Sequence, residues 1–180
     1  AAGAQKLKII LDYHSIEPTP DGRTDGRWYD ASRSEQDWID DLVFMARRYR
    51  NLPHFLGIDL KNEPHGTATW GLGRPATDWN SAAERAARAV LEAAPDILIF
   101  VEGIQDNPSC SGPVPHWWGG NLEPLACHPL AIPANRLVLS PHVYGPDVYD
   151  QPYFNATDFP RNLPAIWDAH FGRFRATGHV

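Results

Sequence analysis

Residues 55–64 read Phe55-Leu56-Gly57-Ile58-Asp59-Leu60-Lys61-Asn62-Glu63-Pro64. The first six form a short, nearly continuous apolar run, which suits a strand buried on both faces. Asn62 and Glu63 then fall at the C-terminal end of that strand. Pro64 restricts Glu63 to an extended backbone. That geometry would aim the Glu63 side chain out of the strand end rather than into a following helix.

The same pattern recurs on either side. Upstream, Lys6 to Asp12 (KLKIILD) is another apolar run, followed by a polar loop from Ser15 to about Ser32. Ser32-x-x-Glu35 reads as a capping box. Trp38, Leu42, Met45, Ala46 and Tyr49 then lie at helical spacing along about 17 residues. Downstream, Asp78 suits the cap of a helix with Ala82, Ala83, Ala86, Val90 and Leu91 on its inner side. Ile97 to Val101 (ILIFV) and Leu137 to Ser140 (LVLS) are two further strands, separated by a long loop with Cys, Pro and Gly. A last helix is expected from Pro164 to about Phe174. Strands alternating with helices imply parallel βαβ units. Polar residues follow all four strands: His14, then Asn62 and Glu63, then Glu102, then His142 and Tyr144. In a (β/α)8 barrel the active-site groups lie at that face.

Composition excludes several function classes. The 180 residues suffice for one domain with a real core, and 43% hydrophobic with 21% charged residues fits a soluble globular protein. A net charge of −6 and a pI near 5.7 argue against nucleic acid or an anionic membrane as partner. No apolar run approaches the roughly 20 residues of a membrane span. The first residues lack the basic start and apolar stretch of a signal peptide, so any export signal is expected outside this chain. There is no GxGxxG or GxxxxGK[ST], and nucleotide binding has no support. The eight His form no HExxH or comparable cluster, so no metal or other cofactor is expected. Cys110 and Cys127 flank a Pro/Gly-rich stretch. A disulfide in an oxidising compartment and two unpaired thiols both fit that spacing.

Seven Trp are many for this length, and Trp28, Trp70, Trp117 and Trp118 sit in segments that read as loops. A loop Trp can present a flat apolar face, and the C–H face of a sugar ring is one partner for it.

The runs LKIILDYH, FLGIDLKNEPHG, WN-x-AAERAARAVL, ILIFVEG, WWGGNL and LVLSPHVYGPDVY, in this order, resemble glycoside hydrolase family five. They are most similar to its bacterial secreted endo-β-1,4-glucanases (cellulases). The resemblance covers essentially the whole chain, 1–180. It implies an α/β fold, a (β/α)8 barrel whose third to sixth strands are the four found here. It also implies a β-glucan substrate and secretion. Glu63 matches the family's general acid/base, and Asn62 the Asn that holds the sugar 2-OH and the nucleophile. His14, His142 and Tyr144 match cleft positions, and Trp118 an aromatic sugar platform. A full barrel runs to about 250 residues. The family's nucleophilic Glu, at the end of the seventh strand, is expected just past Val180. The Arg of the second strand and the Trp of the eighth have no counterpart here.

Retaining glycosidases need two carboxyl groups about 5–5.5 Å apart, one a proton donor and the other a nucleophile. The donor's pKa is expected to be raised by burial and by its partner's charge. Glu63 suits the first role. Glu102 is the other carboxylate at a strand end, and the resemblance makes it a non-nucleophilic position. His14 also fits a hydrogen-bonded core histidine, Asn62 a turn residue, and Trp117 simple packing. Trp28 and Tyr29 could line the cleft. His142 and Tyr144, two apart, are expected on one face, bonding sugar or nucleophile.

Four strands leave two open edges, so the chain is expected to need the missing barrel segments or to self-associate. It is expected to be inactive alone. A non-catalytic β-glucan binder or self-assembling half-barrel is the competing reading, and a mannanase or another β-glucanase the competing specificity.

Overall fold

The computed structural model describes residues 2–17, 26–106, 110 and 115–177. Parts of two predicted loops, residues 18–25, 107–109 and 111–114, lie outside the described residues. The main elements in chain order are β1 (Ile9–Asp12), α1 (Glu35–Tyr49), β2 (Phe55–Asp59), α2 (Trp79–Ala93), β3 (Leu98–Val101), β4 (Leu137–Leu139) and α3 (Leu163–His170). The expected strands and helices all form, trimmed at their ends. The predicted last helix stops at His170, and 3₁₀ turns from Gly172 to Thr177 follow. Between β3 and β4 the described residues hold a 3₁₀ turn, Glu123–Ala126, and no α-helix.

The strands make one parallel sheet in the order β1-β2-β3-β4. Each connection steps to the next position in the same direction. A barrel is wound in this way, whereas a doubly wound sheet reverses direction. β2 and β3 approach closely at Gly57, where a Cβ would sit 2.0 Å from the Leu98 carbonyl oxygen. No helix among the described residues is long and apolar enough to cross a membrane.

Both faces of the sheet were expected to be buried, but they differ. Ile58, Ile99, Val101 and Leu137 join α1 and α2 in the core. On the alternate face, set by the two-residue period of a strand, Ile10 is 45% exposed and Asp12 is exposed. The apolar run of β1 is therefore covered on one side in this chain.

The core centres on Trp28, Trp38 and Trp79, whose ring centroids lie 5.3–6.1 Å apart. Each ring also places its N–H, so the buried polar atom is satisfied. Trp28 donates to Glu35 Oε2, Trp38 to the Leu60 carbonyl and Trp79 to the Glu102 carbonyl. Trp28 and Trp70 were read as loop residues that could meet a ligand, yet both are fully buried. A loop position fixes the backbone class but not the direction of the ring.

Two capping assignments also shift. The capping box of α1 is Ser34 with Asp37, not Ser32 with Glu35. Ser32 instead donates to Asp30 in the preceding turn. That leaves Glu35 free to take the Trp28 N–H and two bonds from Arg85, at 2.7 and 2.9 Å, which tie α1 to α2. Asp78 does sit at the N-cap of α2, but its carboxylate bonds Thr69 Oγ1 and the Leu72 and Arg74 N–H groups of the preceding loop.

Candidate active site

The segment that leaves β2 carries Asn62 and Glu63. Glu63 has φ +51°, in the left-handed region, so the extended conformation expected from Pro64 is not adopted. A non-glycine residue held there costs about 1–3 kcal/mol and persists only where its surroundings enforce it. Three contacts do so. The Glu63 N–H donates to Glu102 Oε2 at 2.8 Å. His65 Nδ1 bonds the Glu63 carbonyl at 2.6 Å. The Gly119 N–H donates to the Pro64 carbonyl at 3.2 Å. Gly119, at φ +69°, is itself required: a Cβ there would lie 2.0 Å from Glu102 Oε2 and 3.1 Å from Glu63 Cα.

The Glu63 carboxylate meets two residues from beyond β4. Tyr144 Oη donates to Glu63 Oε1 at 2.5 Å, and His142 Nδ1 lies 3.0 Å from the same oxygen. His142 Nε2 lies 3.1 Å from Glu102 Oε1. Both ring nitrogens face carboxylates, an arrangement that favours the doubly protonated ring. The bond to Glu102, then that to Glu63, pushes the His142 pKa up to about 10 against the opposing effect of burial. Burial also pushes the Tyr144 phenol up, with Glu63 adding to it.

Within this chain the partners of Glu63 favour its charged form. Burial pushes its carboxyl up, but the bonds from His142 and Tyr144 and the charge of His142 outweigh it, and the pKa falls below the usual glutamate value. Glu102 is 1% exposed, and burial raises its carboxyl despite the bonds from His142 and the Glu63 N–H. Below them Asp59 is 7% exposed. Burial, then the charges of Glu102 and Asp12, pushes it up to about 8.

Glu63 opens onto a cleft of about 510 Å³, lined also by Gln105, Trp117, Trp118, Tyr144 and Tyr149. Trp118 is 38% exposed, with one face stacked on His65 at a centroid distance of 3.7 Å and 5° between planes. Trp117 is buried, its ring packed edge-on against Tyr144 at 5.3 Å.

Three predicted site residues thus line one cleft, Glu63, Tyr144 and Trp118, and a fourth, His142, is bonded to Glu63. Asn62 is buried beside them, its N–H donating to the Tyr13 carbonyl. His14 is an exposed side chain bonded to Asp12 at 2.8 Å, not a core histidine. Tyr29 donates to the Ala76 carbonyl and does not line this cleft. Sequence reasoning missed His65 and Gly119. Both lie inside motifs already noticed, NEPHG and WWGGNL, but what they touch is set by chain approach. Cys110 and Cys127 are joined by a disulfide, with Cα atoms 6.1 Å apart. Among the described residues no group of three or more His, Cys, Asp or Glu is placed to hold a metal ion.

Fold and site together define a parallel α/β protein that gathers a carboxylate, its hydrogen-bonding partners and aromatic rings beyond the C-terminal ends of its strands. Residues 1–180 match the family model for cellulase (glycosyl hydrolase family 5), and the chain belongs to that family. It is 58% identical over 175 residues to the major extracellular endoglucanase of Xanthomonas campestris pv. campestris, covering 97% of this chain and 35% of that protein. An endoglucanase of Paenibacillus polymyxa is 46% identical over 172 residues, covering 95% of this chain and 42% of the other. Among solved structures, an endocellulase of Pyrococcus horikoshii in complex with cellotetraose superposes with a TM-score of 0.92 at 45% identity, covering 99% of this chain and 52% of that one. The chain thus spans between about a third and a half of the relatives it matches. The family fold is the (β/α)8 barrel, of which four parallel strands with their helices are present here.

Proposed function

We propose that this chain carries the acid/base part of a retaining endo-β-1,4-glucanase site, with Glu63 as the proton donor. The observation that carries this reading is the Glu63 carboxylate. It opens onto an aromatic-lined cleft, with both hydrogen-bonded partners on Oε1. No donor among the described residues reaches Oε2, which leaves that oxygen for a glycosidic oxygen or a water. Glu63 would protonate the leaving oxygen and then deprotonate the attacking water. It must first hold a proton, and a second carboxylate about 5–5.5 Å away supplies the like charge that lifts its pKa.

Glu102 does not suit the nucleophile's role. It is almost fully buried and engaged by His142 and the Glu63 N–H. We assign the nucleophile, with the rest of the barrel, to segments outside residues 1–180. Asn62 would hold the sugar 2-OH and Trp118 would stack on a glucosyl ring through its open face, with Tyr144 and His142 orienting Glu63. His14 is assigned to the cleft by its position after β1. The extracellular relative and the disulfide support secretion.

The test is a chimera in which residues 1–180 replace the matching segment of the Xanthomonas campestris endoglucanase. Glu63→Ala should cut carboxymethyl-cellulose hydrolysis by roughly 10²–10⁴-fold. With an aryl cellobioside bearing a good leaving group, added azide should restore turnover and yield the β-glycosyl azide. Activity retained in the variant, or no azide product, would refute the assignment. The 180-residue chain alone should not cleave cellulose chains, and cleavage by it that is lost in Glu63→Gln would overturn the assignment of the nucleophile elsewhere.

A further inference from the structure

We infer that Glu102 is a positioning residue of this site, a buried clamp that holds the Glu63 main chain in its left-handed turn and the His142 ring against Glu63. The inference rests on the reading of Glu63 as the proton donor. Glu102 is the residue directly after β3, on the strand next to β2. One oxygen accepts the Glu63 N–H at 2.8 Å and the other lies 3.1 Å from His142 Nε2. A single carboxylate therefore spans two strand ends and fixes both the backbone and the ring partner of Glu63.

Three observations show a built feature rather than an incidental contact. Glu102 is 1% exposed, and a buried carboxylate is costly unless bonded. Gly119 leaves its own Cβ position empty, where an added atom would lie 2.0 Å from Glu102 Oε2. Glu63 occupies a backbone region that an ordinary residue avoids, and its N–H is held there by Glu102. The charged groups around the clamp are His142 and Glu63, bonded to it, and Asp59, whose titration it affects.

The clamp also sets charge. Held between two carboxylates, His142 stays cationic and donates to Glu63 Oε1. With an amide at 102 the ring loses one of its two anionic partners, and the proton affinities of His142 and Glu63 both move. A side chain that served only to fill space would leave them in place.

The experiment compares wild type, Glu102→Gln and the shorter carboxylate of Glu102→Asp. In the full chain, ¹⁵N spectra of the histidine rings should show His142 charged past pH 8 in wild type. Its midpoint should fall by more than about one unit, a tenfold change in proton affinity, in Glu102→Gln. Glu102→Asp should leave His142 cationic while its kcat falls. In the chimera described above, kcat on cellulose chains should drop roughly ten- to a hundredfold in Glu102→Gln, a part of the 10²–10⁴ that acid–base catalysis supplies. KM should stay within about twofold, and the pH–rate limb should move with the His142 midpoint.

An unchanged His142 midpoint and pH profile in a folded Glu102→Gln protein would overturn the inference. So would a loss confined to KM. Failure of azide rescue in Glu63→Ala would instead strike the proton-donor assignment, and the His142 measurement would still report on the clamp.

Discussion

Replacing Asp59 by Asn should stabilise the protein, and by more as the pH rises. Asp59 ends β2 inside a group of acids, with Asp12 paired beside it in the sheet and Glu102 near it. Its Oδ1 is buried without a hydrogen-bond partner. The folded-state pKa is about 8 against an ordinary value of 3.8. Between those values the native state holds a proton that the unfolded chain has lost. Stability therefore falls as pH rises, with a slope of about 1.4 kcal/mol per pH unit. From pH 5 to pH 7 that amounts to about 3 kcal/mol, a large part of a typical domain's stability. Asn mimics the neutral acid and carries no such slope. Glu102 and His142 titrate against Asp59, so the difference between the two curves reports Asp59 together with its coupling to them. Urea unfolding followed by Trp fluorescence reads it directly, because Trp28, Trp38 and Trp79 are packed together in the core. The gap between Asp59→Asn and wild type should widen by about 3 kcal/mol from pH 5 to pH 7 and level off above pH 8. Parallel curves over that interval would refute the reasoning, because they would mean that Asp59 is already ionised in the native state.

Three further outcomes follow from the packing. Gly57→Ala should cost about 3 kcal/mol or more in urea unfolding, since its Cβ would meet the Leu98 carbonyl oxygen at 2.0 Å and part β2 from β3. Glu35→Ala should cost about 1–3 kcal/mol, chiefly because the N–H of the fully buried Trp28 loses its acceptor. The partly exposed pair with Arg85 should add little, so raising the salt concentration should barely change the loss. Trp118→Ala should weaken cello-oligosaccharide binding by the chimera about five- to tenfold, while Trp118→Phe keeps part of the platform. Calorimetric titration would measure both, and unchanged affinity in Trp118→Ala would remove that ring from the proposed site.

The legible parts of the site were those carried by local pattern. Glu63, His142 and Tyr144 were singled out because each follows an apolar run, and Trp118 because it is a Trp in a segment that reads as a loop; the family resemblance supplied their roles. What those side chains touch was not legible. The bonds that His142 and Tyr144 make to Glu63, across the sheet, had no signal in the sequence. Pro64 pointed to an extended Glu63, and a buried carboxylate from the next strand holds it left-handed. Trp28 and Trp70 had loop neighbours, and both rings turned into the core.

By itself, the sequence determined the strand and helix order, the parallel sheet and the strand ends where polar groups collect. These follow from apolar runs and helical spacing, which act over a few residues. The family, too, was readable from its motifs. Only the tertiary structure decided that His142 and Tyr144 bond Glu63, that Glu102 clamps it, and that Gly119 must lack a side chain. Those properties depend on atoms 17 to 81 residues apart along the chain. Burial and charge at such contacts exist only once the strands lie side by side.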